Sequence, residues 1–165
     1  TTAPGRFEPV TVPGQTITGL VDYAHTPDAL ENVLQTLHQT RRPEQRIITV
    51  VGCGGNRDAA KRPVMARLAA QLSDQVILTS DNPRDEDPLD ILRQMQAGIL
   101  PPADAHAQLI ADRRQAIRAA VALARPGDMV LVAGKGHETY QEVKGVKSPF
   151  DDREELRNAL LGITI

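Results

Sequence analysis

Short apolar runs alternate along this chain with segments in which apolar residues recur every three or four positions. The runs predict strands buried on both faces, and they occupy residues 16–21, 47–51, 76–79, 107–110 and 129–133. Helical spacing over about 10 to 15 residues separates most of them, which is typical of βαβ units. The predicted fold class is therefore α/β, a Rossmann-like and mostly parallel sheet with helices on both faces.

Capping residues mark where two of the helices start. Thr26 is suited to an N-cap because Pro27 follows it at the first helical position, and Asp87 precedes Pro88 in the same way. In the second of these helices we expect Leu89 to face the core together with the later apolar positions.

Three further segments complete the predicted topology. Residues 140–143 and 146–148 flank a Lys-Gly pair and predict a hairpin. One helix is predicted to begin at Pro63, and a capping box at 151–154 opens the last one. Residues 1–14 contain three prolines and are interpreted as an edge hairpin or as the end of a linker.

Composition and charge narrow the class of protein. The 165 residues suffice for one domain, with 41% hydrophobic and 24% charged residues. The net charge of −2 indicates neither a nucleic-acid nor a membrane partner. A single cysteine and the lack of a secretory signal favour a reducing, cytoplasmic location. The chain starts at Thr1 without an initiator methionine, so we expect either processing or a piece of a longer protein.

Charged and polar loops follow four of the predicted strands, at 22–27, 52–58, 81–84 and 134–138. The carboxyl ends of parallel strands share one edge of the sheet, so these loops should meet in one crevice. The loop at 81–84 brings together an acid, an amide and a guanidinium, a set that suits a group carrying both carboxylate and ammonium. Taken alone, the same four residues also fit an ordinary polar turn.

Generic motifs do not account for these loops. Residues 52–57 begin like a dinucleotide fingerprint, but Arg57 occupies the place of the third glycine. The Gly-Lys pair at 134–135 resembles the end of a phosphate-binding P-loop. However, Met129 stands where its first glycine belongs, and Gly136 replaces the Ser/Thr that would hold Mg²⁺. Scattered histidines and one cysteine predict no metal site.

Taken together, the four loops resemble one family. They read, in chain order, Asp22-Tyr-Ala-His25-x-Pro27, Gly54-Gly-x-Arg57-Asp-x-x-Lys61-Arg62-Pro63, Asp81-Asn-Pro-Arg84 and Gly134-Lys-Gly-His-Glu138. This order and approximate spacing are similar to the C-terminal domain of the Mur ligases. Within that family the likeness is greatest to the members that add meso-diaminopimelate in peptidoglycan synthesis.

The resemblance implies a domain organisation and an activity. Residues 1–165 would form a single Mur ligase C-terminal domain, with the N-terminal UDP-binding domain and the central P-loop ATPase domain outside this chain. The whole enzyme would be an ATP-dependent amide ligase with UDP-MurNAc-L-Ala-D-Glu and meso-diaminopimelate as partners. ATP and Mg²⁺ would be bound mainly by the central domain, so the isolated domain is expected to be inactive.

The resemblance also implies the diaminopimelate-binding residues, which are Arg57, Asp81, Asn82, Arg84, Gly134 and Glu138. Arg57 and Arg84, with Asn82, would hold the distal carboxylate of the amino acid. Two parallel N–H bonds from a guanidinium fix the orientation of a carboxylate as well as its charge. Glu138, the Gly134 carbonyl and Asp81 would accept from the distal ammonium. Surface arginines and a capping acid are the plainer interpretation.

A second group of residues is implied to face the nucleotide. Asp22 would accept from ribose hydroxyls, His25 would approach the terminal phosphate, and Arg6 would be a further contact. A histidine bonded to nearby backbone is the plainer alternative for His25. The roles of Lys135 and His137 are left open.

Other functions remain in competition with this one. A lysine-adding Mur ligase has the same architecture, but lysine has no distal carboxylate for Arg84 to bind. The lack of a P-loop also permits a non-catalytic Rossmann-type ligand-binding module. A folylpolyglutamate synthetase domain is more distant, because it does not share the Asp-Asn-Pro-Arg loop.

Overall fold

The computed structural model describes residues 5–162. Its strands are β1 Glu8–Val10, β2 Thr18–Asp22, β3 Ile47–Cys53, β4 Gln75–Ser80, β5 Ala107–Leu109, β6 Met129–Ala133, β7 Tyr140–Val143 and β8 Val146–Pro149. Its helices are α1 Pro27–Thr40, α2 Lys61–Leu72, α3 Pro88–Gln96, α4 Arg113–Leu123 and α5 Asp152–Leu161, with a short 3-10 turn at Ala103–His106. The strands predicted from apolar runs are present, with ends that shift by at most two residues.

Six strands form one sheet in the order β1-β2-β6-β3-β4-β5. All neighbouring pairs are parallel except β1 with β2, which is antiparallel. The predicted α/β, mostly parallel sheet is confirmed. Of residues 1–14, for which an edge hairpin or the end of a linker is predicted, residues 8–10 form an antiparallel edge strand whose partner is β2, and residues 1–4 lie outside the described part. Strands β7 and β8 form the predicted hairpin as a separate two-stranded sheet.

Helices cover the sheet on both faces, as strand β3 illustrates. Ile47 and Val51 point into a core shared with α1, α2 and α3, whereas Ile48 and Val50 point into one shared with α4 and α5. Every residue of β3 is buried, as expected for a central strand covered on both faces, and Thr49 is its one polar side chain. Within residues 5–162, no helix has both the length and the apolarity needed to cross a bilayer.

The helix starts agree with the capping residues, with two corrections. Thr26 and Asp87 each accept a hydrogen bond from a backbone amide of the first turn. Leu89 is 50% exposed, so the prediction that it faces the core is wrong. It lies in the first turn of α3, and the buried stripe begins later, at Ile91, Leu92 and Met95. Helix α2 begins at Lys61, two residues before the predicted Pro63.

The sheet order explains why the polar loops meet. The four loops follow β2, β6, β3 and β4, which are consecutive neighbours in the sheet and run parallel to one another. All four therefore leave the same edge within three strand spacings, about 15 Å across.

Candidate functional site

A cleft of about 760 Å³ opens at this edge of the sheet, lined by residues from all four loops. The residues predicted to bind diaminopimelate all line it, namely Arg57, Asp81, Asn82, Arg84, Gly134 and Glu138. His25 lines it as well, whereas Arg6 and Asp22 lie outside its lining. The structure thus places in one cleft side chains that are up to 117 residues apart, between Tyr23 and Tyr140.

The side chains of Arg57 and Arg84 both approach Gly54 in the loop after β3. A Cβ atom on Gly54 would be 2.8 Å from Arg84 Nη1 and 3.6 Å from Arg57 Cγ. Arg84 Nη1 donates to the Gly55 carbonyl at 2.9 Å, and Arg57 Nη1 donates to the Asn56 carbonyl at 2.9 Å. Each guanidinium has five N–H donors, so both retain donors for a ligand in the cleft.

The backbone of Arg84 is held in an unusual conformation by the β7–β8 hairpin. Its φ is +54°, in the left-handed region that non-glycine residues adopt uncommonly. Arg84 N donates to the Glu142 carbonyl at 3.0 Å, and Lys144 N donates to the Arg84 carbonyl at 2.7 Å. Arg84 Nε also lies 3.6 Å from Glu142 Oε1. The hairpin therefore fixes the direction in which this arginine leaves the loop.

The opposite side of the cleft is acidic and is organised around a buried lysine. Lys135 is fully buried, and its Nζ lies 2.9 Å from Asp81 Oδ1 and 3.9 Å from Glu138 Oε1. The Asp81 contact is an ion pair without hydrogen-bond alignment, so Asp81 Oδ1 accepts no hydrogen bond within residues 5–162. An incoming ammonium would find two acceptors here.

Aromatic and basic side chains form the rim next to His25. The rings of Tyr23 and His25 meet edge to face at 4.5 Å, and the Arg6 guanidinium lies 5.6 Å from the Tyr23 ring centre. His137 is 6.0 Å from the same ring. His25 Nδ1 donates to the Tyr23 carbonyl at 2.9 Å, which leaves Nε2 available. Cations and π-faces together suit a nucleotide with its phosphates.

Asp22 ties the N-terminal segment to this rim. Its two carboxylate oxygens accept from Phe7 N at 2.7 Å and from Ala24 N at 2.8 Å. Gly5 lies so close to the 134–138 loop that a Cβ there would overlap the His137 amide. Asp22 therefore has a structural role, and only its second lone pairs remain for a ribose hydroxyl.

Two further features of the described residues concern metal binding and the reactivity of Cys53. In the part of the chain that the structure describes, no group of three His, Cys, Asp or Glu side chains could hold a metal ion. Burial raises the pKa of Cys53 to about 12, so its thiol is not a nucleophile near neutral pH.

Comparison with known proteins supplies the family. The family described as "Mur ligase, glutamate ligase domain" matches residues 5–136. The chain belongs to this family of Mur ligase domains. The resemblance to the Mur ligase C-terminal domain is thereby confirmed.

Individual relatives agree with this assignment. The UDP-N-acetylmuramoyl-L-alanyl-D-glutamate–2,6-diaminopimelate ligase of Parabacteroides distasonis is 60% identical over 153 residues, 93% of this chain and 31% of that protein. A solved ligase structure of the same name has a TM-score of 0.87 at 45% identity, covering 98% of this chain and 32% of that one. The chain spans about a third of the length of the curated relatives it matches.

A more distant solved structure bears on the folylpolyglutamate alternative. The folylpolyglutamate synthase of Thermotoga maritima has a TM-score of 0.59 at 20% identity and covers 81% of this chain and 28% of that one. At this identity the likeness shows a shared fold and nothing about the amino acid that is added.

Arg62 links two of the loops of this Mur ligase domain from below. The guanidinium is buried and makes a forked pair with Glu86, at 3.0 and 2.7 Å, in the segment after β4. It also donates to the Gly54 carbonyl at 3.0 Å. The acidic partner of Arg62 therefore lies outside its own helix, in the segment that follows β4.

We expect the free energy of unfolding of the Glu86→Gln variant to fall less steeply at acid pH than that of the parent protein. The Arg62 guanidinium, together with the Asn56 amide, lowers the pKa of Glu86 from 4.5 to about 2. The unfolded carboxylate takes up its proton near pH 4.5, so the stabilisation is complete above that pH and is lost as the pH falls towards 2. Urea unfolding of both proteins at several pH values between about 5 and about 2 measures how the free energy of unfolding depends on pH.

Glu31 is a partly exposed glutamate on α1, and the Glu31→Gln variant is the matched control for that experiment. Its stability should follow the parent protein through the acid range. An acid slope of Glu86→Gln equal to that of the parent would show that the Arg62 pair does not set the carboxyl pKa.

A second buried ion pair supports the cleft and had no signal in the sequence. Arg113 and Asp152 both have fully buried side chains and form two bonds of 2.8 Å. Arg113 also donates to the carbonyls of Ser80 and Ala133, the last residues of β4 and β6. Burial lowers the pKa of Arg113, but attraction to Asp152 outweighs it and raises that pKa above its ordinary value.

Proposed function

We propose that this chain is the amino-acid-binding and nucleotide-closing domain of an ATP-dependent amide ligase. The ligase would add meso-diaminopimelate to UDP-MurNAc-L-Ala-D-Glu. The observation that carries the proposal is a single cleft with a basic half next to an acidic half. The relatives that match most of this chain are named as 2,6-diaminopimelate ligases, which agrees with such a cleft.

The charges of the two halves match one end of diaminopimelate. We call Asp81, Glu138 and Lys135 the acidic half, in which two carboxylates against one ammonium leave one net negative charge. We call Arg57, Arg84 and Glu142 the basic half, which leaves one net positive charge. Binding a ligand end that carries both an ammonium and a carboxylate removes water from two charges. That cost is offset only where the site offers an oppositely charged partner to each of them.

The proposed mechanism converts binding at the distal end into orientation of the reacting amine. ATP, with Mg²⁺, would supply the phosphoryl group that activates the γ-carboxylate of D-glutamate. Residues of the cleft hold the far end of diaminopimelate, so the amine at its other end projects towards the activated carboxylate. Such positioning converts affinity into rate. Closure of this domain would also keep water away from the activated group.

On the nucleotide side we propose contacts from Arg6, Asp22 and His25. Arg6 offers donors at the rim, and His25 Nε2 would donate to a phosphate when the imidazole carries both protons. Asp22 would use its remaining lone pairs for the ribose while it holds the segment that carries Arg6. Because its proposed substrates are the nucleotide-linked dipeptide and ATP, we place the ligase in the cytoplasm.

We expect the full-length ligase that carries this chain to choose diaminopimelate over lysine. With both amino acids present at equal concentration, incorporation of diaminopimelate should exceed that of lysine roughly a hundredfold, because lysine leaves two arginines without a carboxylate. Mass spectrometry of the nucleotide-linked product measures the ratio. Equal incorporation, or an excess of lysine, would move the protein to the lysine-adding members.

Titration of the isolated chain separates the ligase from a self-sufficient binding module. Calorimetry with meso-diaminopimelate should detect weak binding or none, because the other domains would complete the site. Tight binding by residues 1–165 alone would favour the non-catalytic module instead.

A further inference from the structure

We propose that Lys135 is a positioning residue that fixes the side-chain amide of Asn82 and thereby sets which polar groups face the amino acid. The inference rests on the proposed function of the cleft. It concerns a side chain that the substrate does not reach, because Lys135 is fully buried and absent from the cleft lining.

The Lys135 ammonium is surrounded by partners within the protein. Nζ donates to Asn82 Oδ1 at 2.8 Å and to the Tyr140 carbonyl at 2.9 Å, and it forms an ion pair with Asp81 Oδ1 at 2.9 Å. Because the lysine is fully buried and outside the cleft lining, its ammonium does not reach a ligand in the cleft. Any effect of Lys135 on binding must therefore pass through its neighbours.

The orientation of the Asn82 amide follows from these bonds. Its Oδ1 accepts from Lys135 Nζ and, at 2.9 Å, from Glu142 N. The amide nitrogen must then point the opposite way, where Nδ2 donates to Glu138 Oε1 at 3.4 Å. A flipped amide would set its N–H₂ donors against two other donors, and it would offer the cleft an oxygen instead.

This orientation decides what the distal carboxylate meets. With Nδ2 towards the cleft, Asn82 adds donors beside Arg84, which is the arrangement that a carboxylate requires. A carbonyl oxygen in the same place would repel it. Lys135 thus supports binding of the carboxylate although its own charge lies on the acidic side of the cleft.

Lys135 also sets the charge of the acidic half. It lies between Asp81 and Glu138, whose carboxylates would otherwise repel each other across the cleft floor. With the lysine present, one net negative charge faces one incoming ammonium. The two effects predict that Lys135 matters only for amino acids that carry a distal ammonium and a distal carboxylate.

The test compares Lys135→Met with Lys147→Met in the full-length ligase. Lys147 is an exposed lysine on β8, 4.5 Å from the ring of Tyr140, and serves as the matched control. We expect Lys135→Met to raise the KM for meso-diaminopimelate roughly tenfold to hundredfold, while the KM for ATP stays within about twofold. The control should resemble the parent enzyme for both substrates.

A truncated substrate distinguishes positioning from a purely structural role. Norleucine has the same carbon chain as diaminopimelate but lacks both distal groups. We expect the parent and Lys135→Met to have the same kcat/KM for norleucine. An equal loss with norleucine and diaminopimelate, or an unchanged KM for diaminopimelate, would overturn the inference. A parent enzyme that does not add diaminopimelate at all would instead overturn the proposed function.

A measurement on the unsubstituted ligase covers the case in which Lys135→Met does not fold. In asparagine-labelled protein, the Nδ2 protons of Asn82 should show nuclear Overhauser contacts to the Glu138 side chain. Strong contacts from these protons to the Glu142 amide proton would mean that the amide is flipped, and they would overturn the inference.

Discussion

In the full-length ligase, Arg84→Ala should raise the KM for meso-diaminopimelate roughly a hundredfold or more, because removing one partner of a desolvated charge pair costs about 2–5 kcal/mol. The KM for ATP should change little, since Arg84 lies in the half of the cleft that we propose binds the amino acid. Arginine and alanine both carry a Cβ, so the left-handed backbone at this position is strained to a similar degree in both. Steady-state kinetics with each substrate varied in turn provides the measurement.

Two controls give this result a specific meaning. Arg93→Ala removes an arginine that is 66% exposed and pairs with Asp90 on α3, and it should leave both KM values as they are. Lysine as substrate should be used equally poorly by the parent and by Arg84→Ala, because it has no distal carboxylate to lose. A KM for diaminopimelate that stays at the parental value would show that Arg84 has been assigned the wrong role.

The second large effect is expected on folding. Asp152→Leu should lower the free energy of unfolding by about 3–5 kcal/mol, because it leaves the fully buried Arg113 without its counter-ion. Arg113→Met combined with Asp152→Leu should recover much of this loss, since apolar side chains of similar size often replace a buried pair at little cost. Urea denaturation of the three proteins measures the differences.

An ion pair that is exposed on both sides is the control. Arg42 and Glu44 are each 69% exposed, so Arg42→Ala should lower the free energy of unfolding far less than Asp152→Leu does. If the double variant were as unstable as Asp152→Leu, the bonds from Arg113 to the ends of β4 and β6 would matter more than the ion pair itself.

The fold and the location of the site followed from the sequence for one physical reason. Residues 129–133 are apolar at every position and residues 47–51 at every position except Thr49, a pattern that only a strand covered on both faces tolerates. Once such strands are known to be parallel, the loops that follow them must share an edge. The convergence of Arg57, Arg84 and Glu138 on one cleft was predictable because it depends on topology and not on side-chain detail.

The support beneath the cleft was not predictable in the same way. Arg62 and Arg113 sit at the starts of helices, where a charged residue usually faces water, and only tertiary packing buries them. The sequence held only a weak indication that Lys135 is buried, namely that a single glycine separates it from the buried strand β6. The prediction for Leu89 was wrong because the helical spacing of apolar residues does not show which side of the first turn faces the core.

The pairing between the hairpin and the 81–84 segment has a consequence for protein engineering. Arg84 exchanges backbone hydrogen bonds with Glu142 and Lys144, and Gln141 donates to the Asp81 carbonyl at 2.8 Å. A register change of one residue in this pairing would turn the alternate side chains to the other side. Redesign of amino-acid preference would therefore have to exchange residues 81–84 and 140–149 together, because either segment grafted alone would lack the backbone hydrogen-bond partners that hold it.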